Sequence, residues 1–208
     1  MKFKNVSKKK LIVVFSSVIL MGMCLAFLNK ASLGTDPCGI FNLGLAGKLG
    51  ISLGTCQAMT NSIMFIFVLL YARDMIGWGT IANMFVVGYS FDASIWLIDR
   101  FIPAGFFEPN LNKVLILVPA LAVFVLTAAL YMSSGLGMGS YDALPFIIHS
   151  KIGKGSFRFV RICWDMLMII TGWVMGSRAG IATVIMAFAL GPTIAWVQNK
   201  IISKIWKE

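Results

Sequence analysis

Charge is what this 208-residue chain has least of. Asp, Glu, Lys and Arg make up 12% of it, against roughly 25% in soluble domains. With 59% hydrophobic residues and a mean hydropathy of +0.87, it cannot maintain a water-facing surface all round. A single histidine, His149, cannot assemble a metal site. The four cysteines (Cys24, Cys38, Cys56, Cys163) show no C-x-x-C spacing and read as free thiols packed in an apolar bundle. Also missing are a nucleotide-binding loop, zinc-type His/Glu spacing and a nucleophile paired with histidine, so neither an enzyme nor a cofactor is expected. The net charge of +10 is not arranged as a basic face with interleaved aromatics, which argues against nucleic acid as a partner.

Long apolar runs are what the chain does have. Six can be read, at about 11–29, 55–72, 76–98, 113–132, 157–176 and 178–199. Each approaches the ~20 residues that cross a hydrocarbon core, so an all-α membrane protein in a lipid bilayer is expected. Lys2 to Lys10 followed by Leu11 to Leu28 has the charge and apolar order of a signal peptide. Met21-Gly-Met-Cys-Leu offers no small-x-small cleavage site, so the expectation is an uncleaved first span.

Two further segments, about 38–49 and 141–152, are too short to span at ~1.5 Å per residue. Asp36 or Thr35 can cap the first, with Pro37 at the first helical position; Ser140 and Asp142 are expected to do similar work for the second. Such segments either lie flat at the membrane surface or dip into the bundle. The second arrangement requires their backbone to be shielded from lipid.

These segments fall in equivalent places of a duplicated chain. A gapless shift of 103 residues brings together Leu33 and Leu136, Gly34 and Gly137, Lys48 and Lys151, Gly50 and Gly153, Gly77 and Gly180, Thr80 and Thr183, and Gly88 and Gly191. The reading is one transmembrane domain over 1–208: repeat 1 about 11–98, an exposed linker 99–113, and repeat 2 about 114–201. Three full spans per copy is an odd number, so the second copy enters from the opposite face. That gives six transmembrane helices as two inverted three-helix repeats, each with a short broken or re-entrant segment.

With the N-terminus inside, five of the 18 cations (Lys30, Lys48, Arg100, Lys113, Arg178) fall outside and the remaining 13 inside. The positive-inside rule then puts both termini in the cytoplasm of a bacterial plasma membrane. The tail 201–208 is expected at the inner headgroup level, anchored by Trp206.

Polar residues inside the runs are the candidate binding groups. Asp92 is a carboxylate within a span, where it should face the bundle or a wet cavity. Thr80 and Asn83 share one face of the same run. The second run opens with Gln57 and Asn61, the fifth with Arg161 and Asp165, four residues apart on one face. With Asp36 and Asp142, these groups converge towards the midplane if the repeats are inverted. Arg161 either neutralises Asp165 or shares with it a role at the substrate.

Leu33-Gly-Thr-Asp-Pro37, Met138-Gly-Ser-Tyr-Asp142 and the Gly-Thr-x-x-Asn-x4-Gly-x3-Asp pattern at 79–92 resemble the YczE/YyaS/YitT-like bacterial membrane proteins, most of all the YczE-like branch. The resemblance implies a Pro-x-Asp near the start of each short segment. Here the first copy keeps Pro37 but has Gly39 in the Asp place, and the second keeps Asp142 but has Ser140 in the Pro place. The expected function is a small-solute or ion transporter or channel-like protein of unspecified substrate. The alternatives are a substrate-binding membrane subunit of a multi-component transporter, or a structural or regulatory membrane protein without ligand. Homo-oligomerisation and membrane partner subunits are left open.

Overall fold

The computed structural model describes residue 3 and residues 6–202, which contain eight α-helices and no strand. In chain order these are α1 (Lys8–Lys30), α2 (Pro37–Leu49), α3 (Leu53–Tyr71), α4 (Trp78–Phe101), α5 (Asn110–Ser133), α6 (Ser140–Ile152), α7 (Phe157–Val174) and α8 (Ile181–Val197). Lys2, Lys4, Lys204, Trp206 and Lys207, used in the topology and anchor readings, lie outside the described residues.

Five helices, α1, α3, α4, α5 and the α8 region to Lys200, are long and apolar enough to cross a membrane. The sixth expected span forms α7, but its 18 residues include Arg158, Arg161 and Asp165. It is the most one-sided helix of the chain. Leu167, Ile170 and Trp173 are exposed outward, while Asp165, Met168 and Gly172 are buried.

α1 is the spine, packed against α4 and α5. Val14, Val18, Leu25 and Leu28 form one core with Val87, Phe91 and Ile98 of α4 and Phe124, Ala128 and Tyr131 of α5. Close backbone approach drives such packing where lipid is as apolar as leucine. At Gly22, for example, an added Cβ would lie 2.4 Å from the Val87 carbonyl oxygen.

The 103-residue spacing reappears in the backbone. α2 and α6 both have 13 residues and start at 37 and 140; α4 and α8 start at 78 and 181. Gly50 and Gly153 end the short helices in left-handed conformation. The Thr80 hydroxyl accepts from Gly77 N–H (3.1 Å) and the Thr183 hydroxyl from Gly180 N–H (3.3 Å). The contacts between halves are reciprocal. Leu33 O accepts from Ala182 N–H (2.9 Å), and Leu136 O accepts from Gly79 N–H (2.8 Å). Gly34 and Gly137, which precede the short helices, both take positive φ (85° and 98°). A Cβ on Gly34 would meet Thr183 Oγ1 at 2.3 Å, and one on Gly137 would meet Gly77 N at 2.6 Å.

Each short helix packs on the opposite half, α2 against α7 and α6 against α3. Gly44 and Gly172 face one another at the α2–α7 crossing, where a Cβ on Gly172 would lie 2.4 Å from Ile40 O. The first turns of both short helices are buried (Pro37 to Ile40; Ser140, Tyr141, Ala143), whereas their last residues are exposed. Their starts therefore sit inside the bundle, shielded by protein rather than laid flat on it.

Two local readings need correction. The N-cap of α6 is Gly139, which has no side chain to accept a bond; Ser140 is inside the helix with its hydroxyl unpartnered. The linker is shorter than 99–113. Asp99 and Arg100 still belong to α4, α5 begins at Asn110, and Phe107 between them is buried in the core. Asp99 is held at its helix end by an ion pair with Lys30 of α1.

Candidate functional site

The starts of α2 and α6 meet at a cavity of about 460 Å³ enclosed by α1, α3, α4, α5, α7 and α8. Local sequence brings them there. After the Gly34 turn, Asp36 accepts from Gly39 N–H at 3.2 Å and starts α2, with Pro37 next. On the other side Gly139 starts α6. A Cβ there would lie 2.3 Å from Asn83 Oδ1, so only glycine leaves room for that amide.

Arg161 is the hub of the polar wall. It donates from Nη1 to Asp142 Oδ1 (2.9 Å) and from Nε to Asp165 Oδ2 (3.1 Å). The Tyr141 hydroxyl donates to the other oxygen of Asp165 at 2.5 Å, and the guanidinium lies 5.2 Å from the Tyr141 ring centre. α6 and α7 are thus joined by a closed network in which both oxygens of the buried Asp165 are occupied. Asp36 is placed differently. It lies in the connection between α1 and α2, its carboxylate accepts from Gly39 N–H, and no cation among the described residues forms an ion pair with it. Burial pushes its carboxyl up to about 7; Asp142 and Asp165 add to the rise, while the Gly39 bond and Arg161 oppose it.

Six of the eight residues singled out in the sequence line this cavity: Asp36, Gln57, Asn83, Asp142, Arg161 and Asp165. Asp92 does not. Its carboxylate accepts from Gly54 N–H at 2.8 Å and ties α4 to the first turn of α3. Asn61 also lies off the lining, buried in α3 with both amide atoms unpartnered. Tyr131 and Tyr141 line the cavity without having been singled out. Tyr141 stood inside the quoted motif beside Asp142. Tyr131 ends an apolar run, and the residue 103 before it is Leu28, so nothing in the sequence marked it. Cys38 lines the cavity too, and the exposed lining residues, Arg158 at the start of α7 and Phe188, Gly191 and Pro192 in the second half of α8, mark its mouth between these two helices.

The rest of the wall is apolar, with Met21, Leu25, Phe124, Met132, Met186 and Phe188. A pocket of this size and balance suits a small organic molecule.

Five apolar helices of spanning length around a polar cavity define a multi-pass helical membrane protein. Over residues 8–199 the chain matches the family described as "Family of unknown function (DUF6198)", and it belongs to that family. It is similar to the uncharacterized membrane protein YczE of Bacillus subtilis (strain 168), 27% identical over 178 residues, covering 84% of this chain and 77% of that protein. The uncharacterized protein YyaS of the same organism is 20% identical over 187 residues, 90% of each chain. An uncharacterized protein of Haemophilus influenzae (strain ATCC 51907 / DSM 11121 / KW20 / Rd) is 20% identical over 192 residues, 92% of this chain and 84% of that one. No solved structure matches the chain. The resemblance read from the glycine and aspartate motifs therefore holds.

Proposed function

We propose that the chain is a small-solute carrier of the plasma membrane rather than an enzyme, built as two inverted three-span repeats with both termini cytoplasmic. α7 serves as the sixth span. At ~1.5 Å per residue its 18 residues give roughly 27 Å, close to the hydrocarbon thickness, and its charged face turns to the cavity instead of lipid. The reciprocal bonds of Leu33 with Ala182 and Leu136 with Gly79 are what a two-fold relation between halves produces. α3 supports the inversion. α2 ends beside the first residue of α3, whereas near the end of α6 Lys151 lies 3.6 Å from the ring centre of Tyr71, the last residue of α3. A spanning α3 thereby separates the two ends.

The observation that carries the reading is the unequal closure of equivalent helix pairs around one cavity. α3 and α4 are shut: a Cβ on Gly88 would lie 2.8 Å from Gly54 Cα, and Asp92 latches onto Gly54 N–H. At the equivalent places α7 and α8 carry Phe157 for Gly54 and Ala195 for Asp92, and the mouth opens between them. In inverted-repeat carriers, exchanging the two arrangements turns the site to the other face.

Cys38 in the cavity reports on this exchange. In a protein whose other three cysteines are replaced, Cys38 should react with an impermeant thiol reagent from the α7/α8 side, the cytoplasmic one. Gly54→Leu should wedge α3 from α4, since its Cβ would sit 2.8 Å from Tyr89 Cδ1, and so open Cys38 to the opposite side. Labelling from one side only, in both proteins and in vesicles of either orientation, would be the behaviour of a fixed binding subunit and would overturn the carrier reading.

A further inference from the structure

The charge and the unfilled hydrogen-bonding groups of the cavity specify its ligand more closely than its size does. Three carboxylates, Asp36, Asp142 and Asp165, face one guanidinium, Arg161, which is committed to the latter two. The starts of α2 and α6 add roughly half a positive charge each. With Asp36 ionised, about one negative charge is left uncompensated in the cavity. Arg158 also lines the cavity, but at its exposed rim, where its charge acts more weakly than that of the buried groups.

A second, independent set of groups points the same way. Gln57, Asn83 and Tyr131 line the cavity with only 7%, 9% and 1% of their surface exposed; among the described residues the amides of Gln57 and Asn83 enter no hydrogen bond, and the buried Tyr131 hydroxyl, which faces Gly139 N–H, reaches no partner within bonding geometry. Polar groups this buried are normally satisfied, so unpartnered ones around a cavity are available to bond what enters it. Two amide oxygens, a phenol oxygen and a carboxylate can all accept from N–H donors. The remaining wall is thioether, aliphatic and aromatic.

We propose that the cavity binds a small organic cation, an ammonium group carrying an apolar body, with Asp36 as the charge partner. Gln57, Asn83 and Tyr131 offer acceptors for the two remaining N–H groups, and Met21, Leu25, Phe124 and Phe188 pack the apolar part. Arg161 and Asp165 hold α6 against α7 and so fix Asp142 at the edge of the site. This names the solute class of the proposed carrier and rests on that reading only for transport, since binding is measured separately.

The probe is 2-phenylethylammonium chloride, added to the purified full chain in detergent and read by thermal unfolding and titration calorimetry. Sodium phenylacetate supplies the same body with opposite charge; sodium, potassium and tetramethylammonium chlorides at equal ionic strength supply inorganic and donor-free cations. The expected result is stabilisation by phenylethylammonium and not by the others. Asp36→Asn preserves the helix cap, because asparagine caps as well as aspartate. It should leave the unliganded melting temperature nearly unchanged and weaken the probe about ten- to a hundred-fold, the loss of one charge-assisted hydrogen bond. Tyr131→Phe removes one hydroxyl and provides a second reading if Asp36→Asn fails to fold; it should weaken the probe several-fold.

Preference for phenylacetate, equal response to sodium alone, no response to any of them, or full phenylethylammonium binding by Asp36→Asn would each overturn the proposal. Should the probe fail while Cys38 still changes sides, the carrier reading stands and only the solute class falls. Should the probe bind while Cys38 stays one-sided, the site stands and the carrier falls.

Discussion

Arg161→Leu should cost the fold about 3 kcal/mol, towards the lower end of what removing one partner of a buried ion pair costs, because a quarter of the Arg161 side chain is exposed. The physical cause is what remains. Asp165, only 4% exposed, would keep the Tyr141 bond but face Asp142 with no intervening cation. Asp165→Leu alone should cost less, since Arg161 retains Asp142 at 2.9 Å while the Tyr141 hydroxyl loses its acceptor. The double variant Arg161→Leu/Asp165→Leu should recover much of the Arg161 loss, and a double-mutant cycle by unfolding in mixed micelles would measure the coupling. Because both oxygens of Asp165 are already bonded, this pair acts as a brace between α6 and α7, and the ligand's charge partner is Asp36. A protein with Asp165→Asn that melts normally yet loses phenylethylammonium binding would reverse that assignment.

The second large effect is expected at the α2–α7 crossing. A side chain at Gly172 would press its Cβ to 2.4 Å from Ile40 O and 2.6 Å from Ile40 C, backbone atoms that cannot swing away. Gly172→Leu should therefore separate α2 from α7, at a cost at or beyond the ~1–3 kcal/mol typical of overpacking, and should shift the start of α2, with Asp36, in the cavity wall. Gly47→Leu, in the same short helix but with nothing within 4 Å, is the matched control and should melt at or above the parent temperature. The comparison is of melting temperatures and of monodisperse yield in detergent. Equal behaviour of the two variants would refute the close crossing.

Much of the architecture was legible because a repeated chain states its boundaries twice. The short segments were read at 38–49 and 141–152 and form helices at Pro37–Leu49 and Ser140–Ile152. Asp36 and Pro37 were recognisable as a helix start because side chain and ring act locally. Ser140 misled for the same reason. It has the chemistry of a cap, but Gly139 takes the cap position so that Asn83 can approach. The site was legible only as a set of polar residues in apolar runs. Asp142 and Arg161 lie 19 residues apart on different helices, so their bond is a product of tertiary packing and has no sequence period. Asp92 looked like a cavity carboxylate because a charge in a span needs a partner; the partner is a backbone N–H at a helix start, which no residue type announces. Arg161 and Asp165 of α7 stood out in the sequence as polar groups inside an apolar run, and in the fold they form the polar wall.

The account stands or falls on the inversion of the two halves. Leu49 and Ile152 end the two short helices, are separated by the repeat spacing, and are 53% and 57% exposed. Single-cysteine variants Leu49→Cys and Ile152→Cys, in a background without the four native cysteines, can be labelled on intact cells with an impermeant maleimide. Inverted repeats predict that Leu49→Cys reacts from outside, whereas Ile152→Cys reacts only after the membrane is permeabilised. Reaction of both from the same side would contradict it.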